Sequence, residues 1–176
     1  MSMRIVSIIG RKDAGKTTLL IALAREFKRQ GKRVMTIKHA SHPAVLDHEG
    51  TDTWRHFHEG SAERTLIAAP DTRAVFERSP DDTDPETLAR RYMAGADIVL
   101  VEGFKRFPIP RIEVHRKSLG HPPLFDEAGA LTKHWIAIVT DNPSLNATTR
   151  VIRFQDTMWL PLLAGLTWEH AKVLEP

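Results

Sequence analysis

Eight consecutive residues, Gly10-Arg11-Lys12-Asp13-Ala14-Gly15-Lys16-Thr17, fit the spacing G-x-x-x-x-G-K-[ST] without a mismatch. Each residue type answers a chemical need. The glycines let the backbone turn back so that successive N–H groups converge on anionic oxygens. A helix starting at the lysine adds its unpaired N–H groups and its positive end. Lys16 is then a mobile positive charge for the β- and γ-phosphates, the first catalytic candidate, and the Thr17 hydroxyl is a ligand for Mg²⁺. Thr18 follows at the helix start. The expected ligand is a purine nucleoside triphosphate with Mg²⁺. Lys12 precedes Asp13 and Ala14 where a lysine reaching across a dimer would need glycines, so it reads as an ordinary exposed lysine.

Such a loop needs an acidic group at the end of another buried strand. Ile98-Val99-Leu100-Val101-Glu102-Gly103 supplies it, with Glu102 where an all-apolar strand leaves the core. Asp97 lies at the wrong end of that strand. Asp52, after the second strand, is a further candidate for the metal or an attacking water, and so the second catalytic candidate; a helix cap is its alternative reading. The guanine signature Asn-Lys-x-Asp is absent. In its place the apolar run Ile136–Val139 ends in Thr140-Asp141-Asn142-Pro143. A carboxylate at Asp141 can accept two hydrogen bonds from guanine that adenine cannot offer, although Asp141 and Asn142 could equally form a turn before Pro143.

His39, His42, His48, His56 and His58 place five of the nine histidines between residues 39 and 58. Read sharply, His39 and His42 with Asp47, Glu49 and Asp52 form a zinc site. Read plainly, the segment is a flexible loop with exposed histidines, or it contacts a polar anionic ligand, Lys38-His39 leaving a buried strand beside the glycine loop.

These residues need a frame. Arg4–Ile9 is a β-branched run typical of a strand buried on both faces. Residues 17–30 read as a helix with Leu19, Leu20, Leu23 and Phe27 on one face and a stop at Gly31. Arg33–Lys38 reads as a second buried strand, completing a right-handed βαβ unit. A short helix is expected over 51–60, strands over 64–69 and 73–77, and a helix started by Thr83-Asp84-Pro85-Glu86. Strands follow at 97–101 and 135–140, with 111–115 as an edge because it alternates. A short strand near 150–154 and a helical tendency from Asp156 end the chain, whose tail 156–176 is the least determined part. The expectation is one α/β domain over 1–176, a P-loop NTPase-like layer sandwich with a mostly parallel, mixed sheet.

Composition sets limits. The 176 residues suit one domain, and 41% hydrophobic with 27% charged residues is ordinary for a soluble protein. The absence of cysteine removes disulfides and thiolate metal sites. The apolar run 5–9 is too short for a signal-peptide core, and no segment approaches the roughly 20 apolar residues of a membrane helix. A cytoplasmic protein is expected. Net charge is +3, with the basic residues scattered, which argues against nucleic acid.

Gly10–Thr18, Lys38-His39 with His42, Gly50-Thr51-Asp52-Thr53-Trp54-Arg55 and Val101-Glu102-Gly103-Phe104-Lys105 together resemble the MobB family of molybdopterin-guanine dinucleotide biosynthesis adaptors. The resemblance spans roughly residues 4–142. Two departures stand out: Ala40-Ser41-His42 carries one histidine fewer than the family pattern, and Thr51 stands where lysine is usual. The resemblance implies GTP and Mg²⁺ as ligands, weak GTP hydrolysis and a homodimer. It also implies a partner, the guanylyltransferase MobA, which joins GMP to molybdopterin. By position, Gly10 to Thr18 hold phosphates, Thr17 and Glu102 serve the metal, and Asp141 reads the base. Lys38, His39, His42 and Lys105 are the positions for pterin or phosphate contact. No strong general base for fast hydrolysis is visible, in keeping with at most a slow GTPase. Two other readings share the loop: a nickel-insertion GTPase, which normally uses cysteine ligands, and a small-molecule kinase, whose lid would draw on Arg111, Arg116 and Lys117.

Overall fold

The computed structural model describes residues 2–40, 47–79 and 84–175. The chain forms two compact units, residues 1–39 with 84–176 and residues 40–83.

The larger unit is built on a sheet of seven strands. β1 (Met3–Gly10) runs into the glycine loop and α1 (Lys16–Arg29), and β2 (Val34–Lys38) follows. After α3 (Pro85–Tyr92) come β5 (Ile98–Glu102), β6 (Arg111–His115), β7 (Trp135–Thr140) and β8 (Arg150–Arg153). α5 (Trp159–His170) and β9 (Lys172–Leu174) close the chain. The smaller unit holds α2 (Asp52–His58) and the hairpin of β3 (Arg64–Ala68) and β4 (Arg73–Glu77). In it the Phe57 and Phe76 rings lie 6.5 Å apart and Arg64 pairs with Glu77 at 3.0 Å.

The order β2-β5-β1-β6-β7-β8 is parallel throughout, and β9 adds antiparallel to β1 at Met3–Ile5. The α/β class with a mostly parallel, mixed sheet is therefore as expected. Continuous apolar strands make sense here because both faces are covered. Val6, Ile8, Ile98 and Leu100 pack with Leu23 and Phe27 of α1 and Leu163 of α5. The alternate positions Ile5, Val99 and Val101 pack with Ala89 of α3 and with Phe104. α3 starts at Asp84, whose carboxylate accepts the N–H groups of Glu86 and Thr87 at 3.0 Å, with Pro85 at the first helical position; Thr83 lies outside the described residues.

Two strand assignments exchange places. β2, expected to be buried, is the sheet edge: among the described residues it pairs only with β5, and Ile37 alone of its residues is buried. β6, expected at the edge, lies between β1 and β7 with all five residues buried. Its polar side chains do not face water; they are hydrogen-bonded inside. Arg111 donates to the carbonyls of Lys105 at 2.6 Å, Ile109 at 3.3 Å and Phe107. Glu113 accepts from Leu124 N at 2.6 Å, Phe125 N at 3.0 Å and Trp135 Nε1 at 2.9 Å. Burial pushes the Glu113 carboxyl above its usual range against the pull of these donors. β6 and β7 are bridged by short helical turns at 117–119, by α4 (Leu124–Glu127) and by a turn at 129–134, none of them expected. Neither was β9, and the final helix begins at Trp159 rather than Asp156.

Candidate functional site

Parallel strands all end on one side, and there the sheet collects its chemistry. The glycine loop leaves β1 under tight constraint. A Cβ on Gly10 would lie 2.6 Å from the carbonyl oxygen of Val114 on β6, so only glycine fits that approach. Gly15 has φ +96° and forms the N-cap of α1 with no side chain capping the first turn and no acidic residue in it. Its exposed N–H groups and positive end face a loop that also carries Lys16. Lys16 Nζ donates to Arg11 O at 2.8 Å. Lys12 and Asp13 are exposed, Asp13 with φ +62°, and Ala14 is buried. Arg11 pairs outward with Glu127 of α4.

Thr17 and Glu102 meet. Thr17 Oγ1 donates to Glu102 Oε2 at 2.8 Å across 85 residues of sequence, and Glu102 is 9% exposed. A hydroxyl and a carboxylate converging at a helix start are the hard oxygen donors that Mg²⁺ accepts, and the pair fits that ion.

The ends of β2 and β5 explain why two separated motifs belong together. Lys38 is in register with Glu102, and His39 N donates to Glu102 O at 2.9 Å. The His39 ring lies 4.5 Å from the Phe104 ring. Gly103 has φ +99°, and a Cβ there would come within 3.1 Å of His39 Cβ. Glycine therefore lets the two strand ends close up. Lys38 and Lys105 are exposed, and His42 lies outside the described residues.

On the other side of β1, Asp141 follows β7. Its Oδ1 accepts Lys117 N at 2.8 Å and its Oδ2 lies 3.4 Å from Arg116 Nη1. Burial raises its carboxyl, but the Lys117 amide and the Arg116 guanidinium outweigh this and hold it below the usual range. Arg116 Nε donates in turn to Ala14 O at 3.1 Å. Nearby, His115 sits between Thr140 Oγ1 and His121 O, each at 3.0 Å. Of the three residues weighed for a kinase lid, Arg111 is fully buried on carbonyls and Arg116 is engaged by Ala14 O and Asp141, whereas Lys117 gives its backbone amide to Asp141 and is exposed.

Asp52 is exposed in the first turn of α2, in the smaller unit, where the cap is Thr51, accepting from Trp54 N at 3.3 Å. Asp47 accepts from Thr51, Thr53 and His48 N and braces that turn. Among the described residues no three histidine or carboxylate groups converge as a metal cluster. The sequence pointed to Lys16 and Thr17 through the glycine loop and to Glu102 through the end of an all-apolar strand. It did not point to Arg116 as their neighbour, because the contact is made to a backbone carbonyl.

The chain matches the family model described as molybdopterin guanine dinucleotide synthesis protein B over residues 5–141. It is 37% identical over 142 residues to a molybdopterin-guanine dinucleotide biosynthesis adapter protein of Haemophilus influenzae, covering 79% of this chain and 75% of that one. The adapter protein of Escherichia coli is 34% identical over 145 residues, 81% of this chain and 80% of that one. The crystal structure of Bacillus subtilis MobB superposes with a TM-score of 0.70 at 21% identity, covering 97% of this chain and 99% of that one, a likeness of fold. The family match over residues 5–141 takes in the glycine loop, Lys38-His39 and Glu102-Gly103-Phe104-Lys105, and the chain belongs to the MobB family, molybdopterin guanine dinucleotide synthesis protein B.

Proposed function

We propose that the chain is a GTP-binding adapter in the synthesis of the guanine dinucleotide form of the molybdenum cofactor, turning GTP over slowly. The observation that carries this reading is the uncapped, acid-free start of α1, wrapped by residues 10–17, with Thr17 Oγ1 and Glu102 Oε2 at 2.8 Å beside it. Backbone N–H groups from Gly10 to Thr18 hold the phosphates, and Lys16 leaves Arg11 O to follow the β- and γ-oxygens. Mg²⁺, held by Thr17 with Glu102 behind it, neutralises charge on those oxygens when bound. Asp141 reads the guanine edge. Asp52 enters as a water-orienting residue from its place in the sequence alone. Lys38, His39 and Lys105, with His42, are the contacts for pterin or phosphate.

The partner is the guanylyltransferase MobA, with molybdopterin or its dinucleotide passing between the two. The chain works as a homodimer in the cytoplasm, away from nucleic acid and membrane. No helix among the described residues is long and apolar enough to cross a membrane.

An adapter must associate. Tagged protein is expected to retain the guanylyltransferase in a pull-down, more strongly with GTP and Mg²⁺ present. No association in either condition would remove the adapter reading while leaving nucleotide binding intact.

A further inference from the structure

Neither phosphate nor metal binding accounts for Arg116. Its half-buried side chain leaves the end of β6 and turns back to the glycine loop. Nε donates to Ala14 O at 3.1 Å, the guanidinium lies 4.2 Å from the centre of the Phe154 ring, and Nη1 is 3.4 Å from Asp141 Oδ2. Lys117 N takes the other oxygen of Asp141 at 2.8 Å. An ionised carboxylate offers about four lone-pair directions, two on each oxygen. Arg116 and Lys117 engage one oxygen each, the Asp141 amide adds a weaker donor, and the partly exposed carboxylate keeps acceptor capacity on both oxygens. Guanine presents N1–H and N2–H₂ side by side, two donors for those two acceptors. Adenine presents a lone pair and a C–H there. The same guanidinium thus touches the loop that faces phosphate and the carboxylate that faces the base, and its planar fork is suited to fix both at once.

We infer that Arg116 determines base specificity, by holding the Asp141 carboxylate at a fixed position relative to the glycine loop. This rests on the reading of the chain as a GTP-binding protein. Arg116 acts through Asp141, so it is a positioning residue and makes no contact with the base itself.

Calorimetric titration of the intact chain with GTP, ATP and inorganic tripolyphosphate, all with Mg²⁺, tests it in wild type, Arg116→Ala and Arg116→Lys. Arg116→Ala is expected to reduce the GTP-to-ATP affinity ratio about tenfold, the weight of one charge-assisted hydrogen bond. The loss falls on GTP, while ATP and tripolyphosphate change little. Arg116→Lys keeps the charge without the fork and recovers part of the ratio; if the alanine variant does not fold, this lysine variant carries the test by showing a ratio below wild type. Equal losses for GTP, ATP and tripolyphosphate would mean that Arg116 only shapes the loop, and would overturn the inference. So would a wild-type ratio in both variants, with the GTP reading still standing. If wild type binds ATP as tightly as GTP, the guanine reading falls and this inference falls with it.

Discussion

Replacing Lys16 with alanine is expected to weaken GTP binding by at least about a hundredfold, ~2.7 kcal/mol, the usual scale for removing one partner of a desolvated charge pair. The reason is positional. Lys16 Nζ has one hydrogen bond, to Arg11 O at 2.8 Å. That carbonyl belongs to the loop itself, so the ammonium is stored within reach of any anion the loop receives. The helix end supplies oriented N–H groups but no full charge, and α1 has no other basic residue in its first turn. Without the lysine, phosphate keeps the dipoles and loses the ion. The empty variant should melt close to wild type, because the lost bond is a single contact to backbone. The readout is thermal stabilisation by GTP and Mg²⁺, large in wild type and much smaller at the same nucleotide concentration in Lys16→Ala.

Asp141→Asn is expected to remove base preference while sparing ATP. The substitution keeps the shape of the side chain and its acceptor for Lys117 N. It converts the second oxygen into an amide donor, which would face the N2–H₂ of guanine, and it sets that donor 3.4 Å from Arg116 Nη1. Losing a hydrogen bond to a charged acceptor and opposing two donors together cost about 2–3 kcal/mol, so GTP affinity should fall roughly a hundredfold. ATP, which gains nothing from the carboxylate, should bind as before. Competition of both nucleotides against a fluorescent guanosine analogue measures the two constants directly. An equal fall for GTP and ATP would place Asp141 outside the base site.

How much of this could be read in the sequence depends on how far each residue's partners lie along the chain. β1, the loop and α1 are contiguous, so the spacing of Gly10, Gly15, Lys16 and Thr17 was enough. Glu102 is 85 residues from Thr17 but ends an all-apolar strand, and a parallel sheet puts such ends together. The polar residues of β6 were misread for the converse reason. Alternation of Arg111, Glu113 and His115 is the mark of a solvated face only when water supplies the partners. Here Arg111 is satisfied by carbonyls two to six residues before it, Glu113 by amides and an indole 11 to 22 residues on, and His115 by Thr140 and His121. No local pattern announces those bonds. β2 erred the other way: its Val34, Met35 and Ile37 look like a buried run, but with only β5 beside it the strand stays half covered. β9 is three residues long, too short for any periodic signal, and depends on β1 for its form.

Titrating the intact chain with GTP and with ATP, each with and without Mg²⁺, decides whether the glycine loop and Asp141 form a guanine-nucleotide site. GTP is expected to bind at least about tenfold tighter than ATP, since a site built around paired acceptors rejects a base lacking the donors, with affinity falling when the magnesium is chelated. Equal affinities, or no heat from GTP with magnesium in excess, would contradict it.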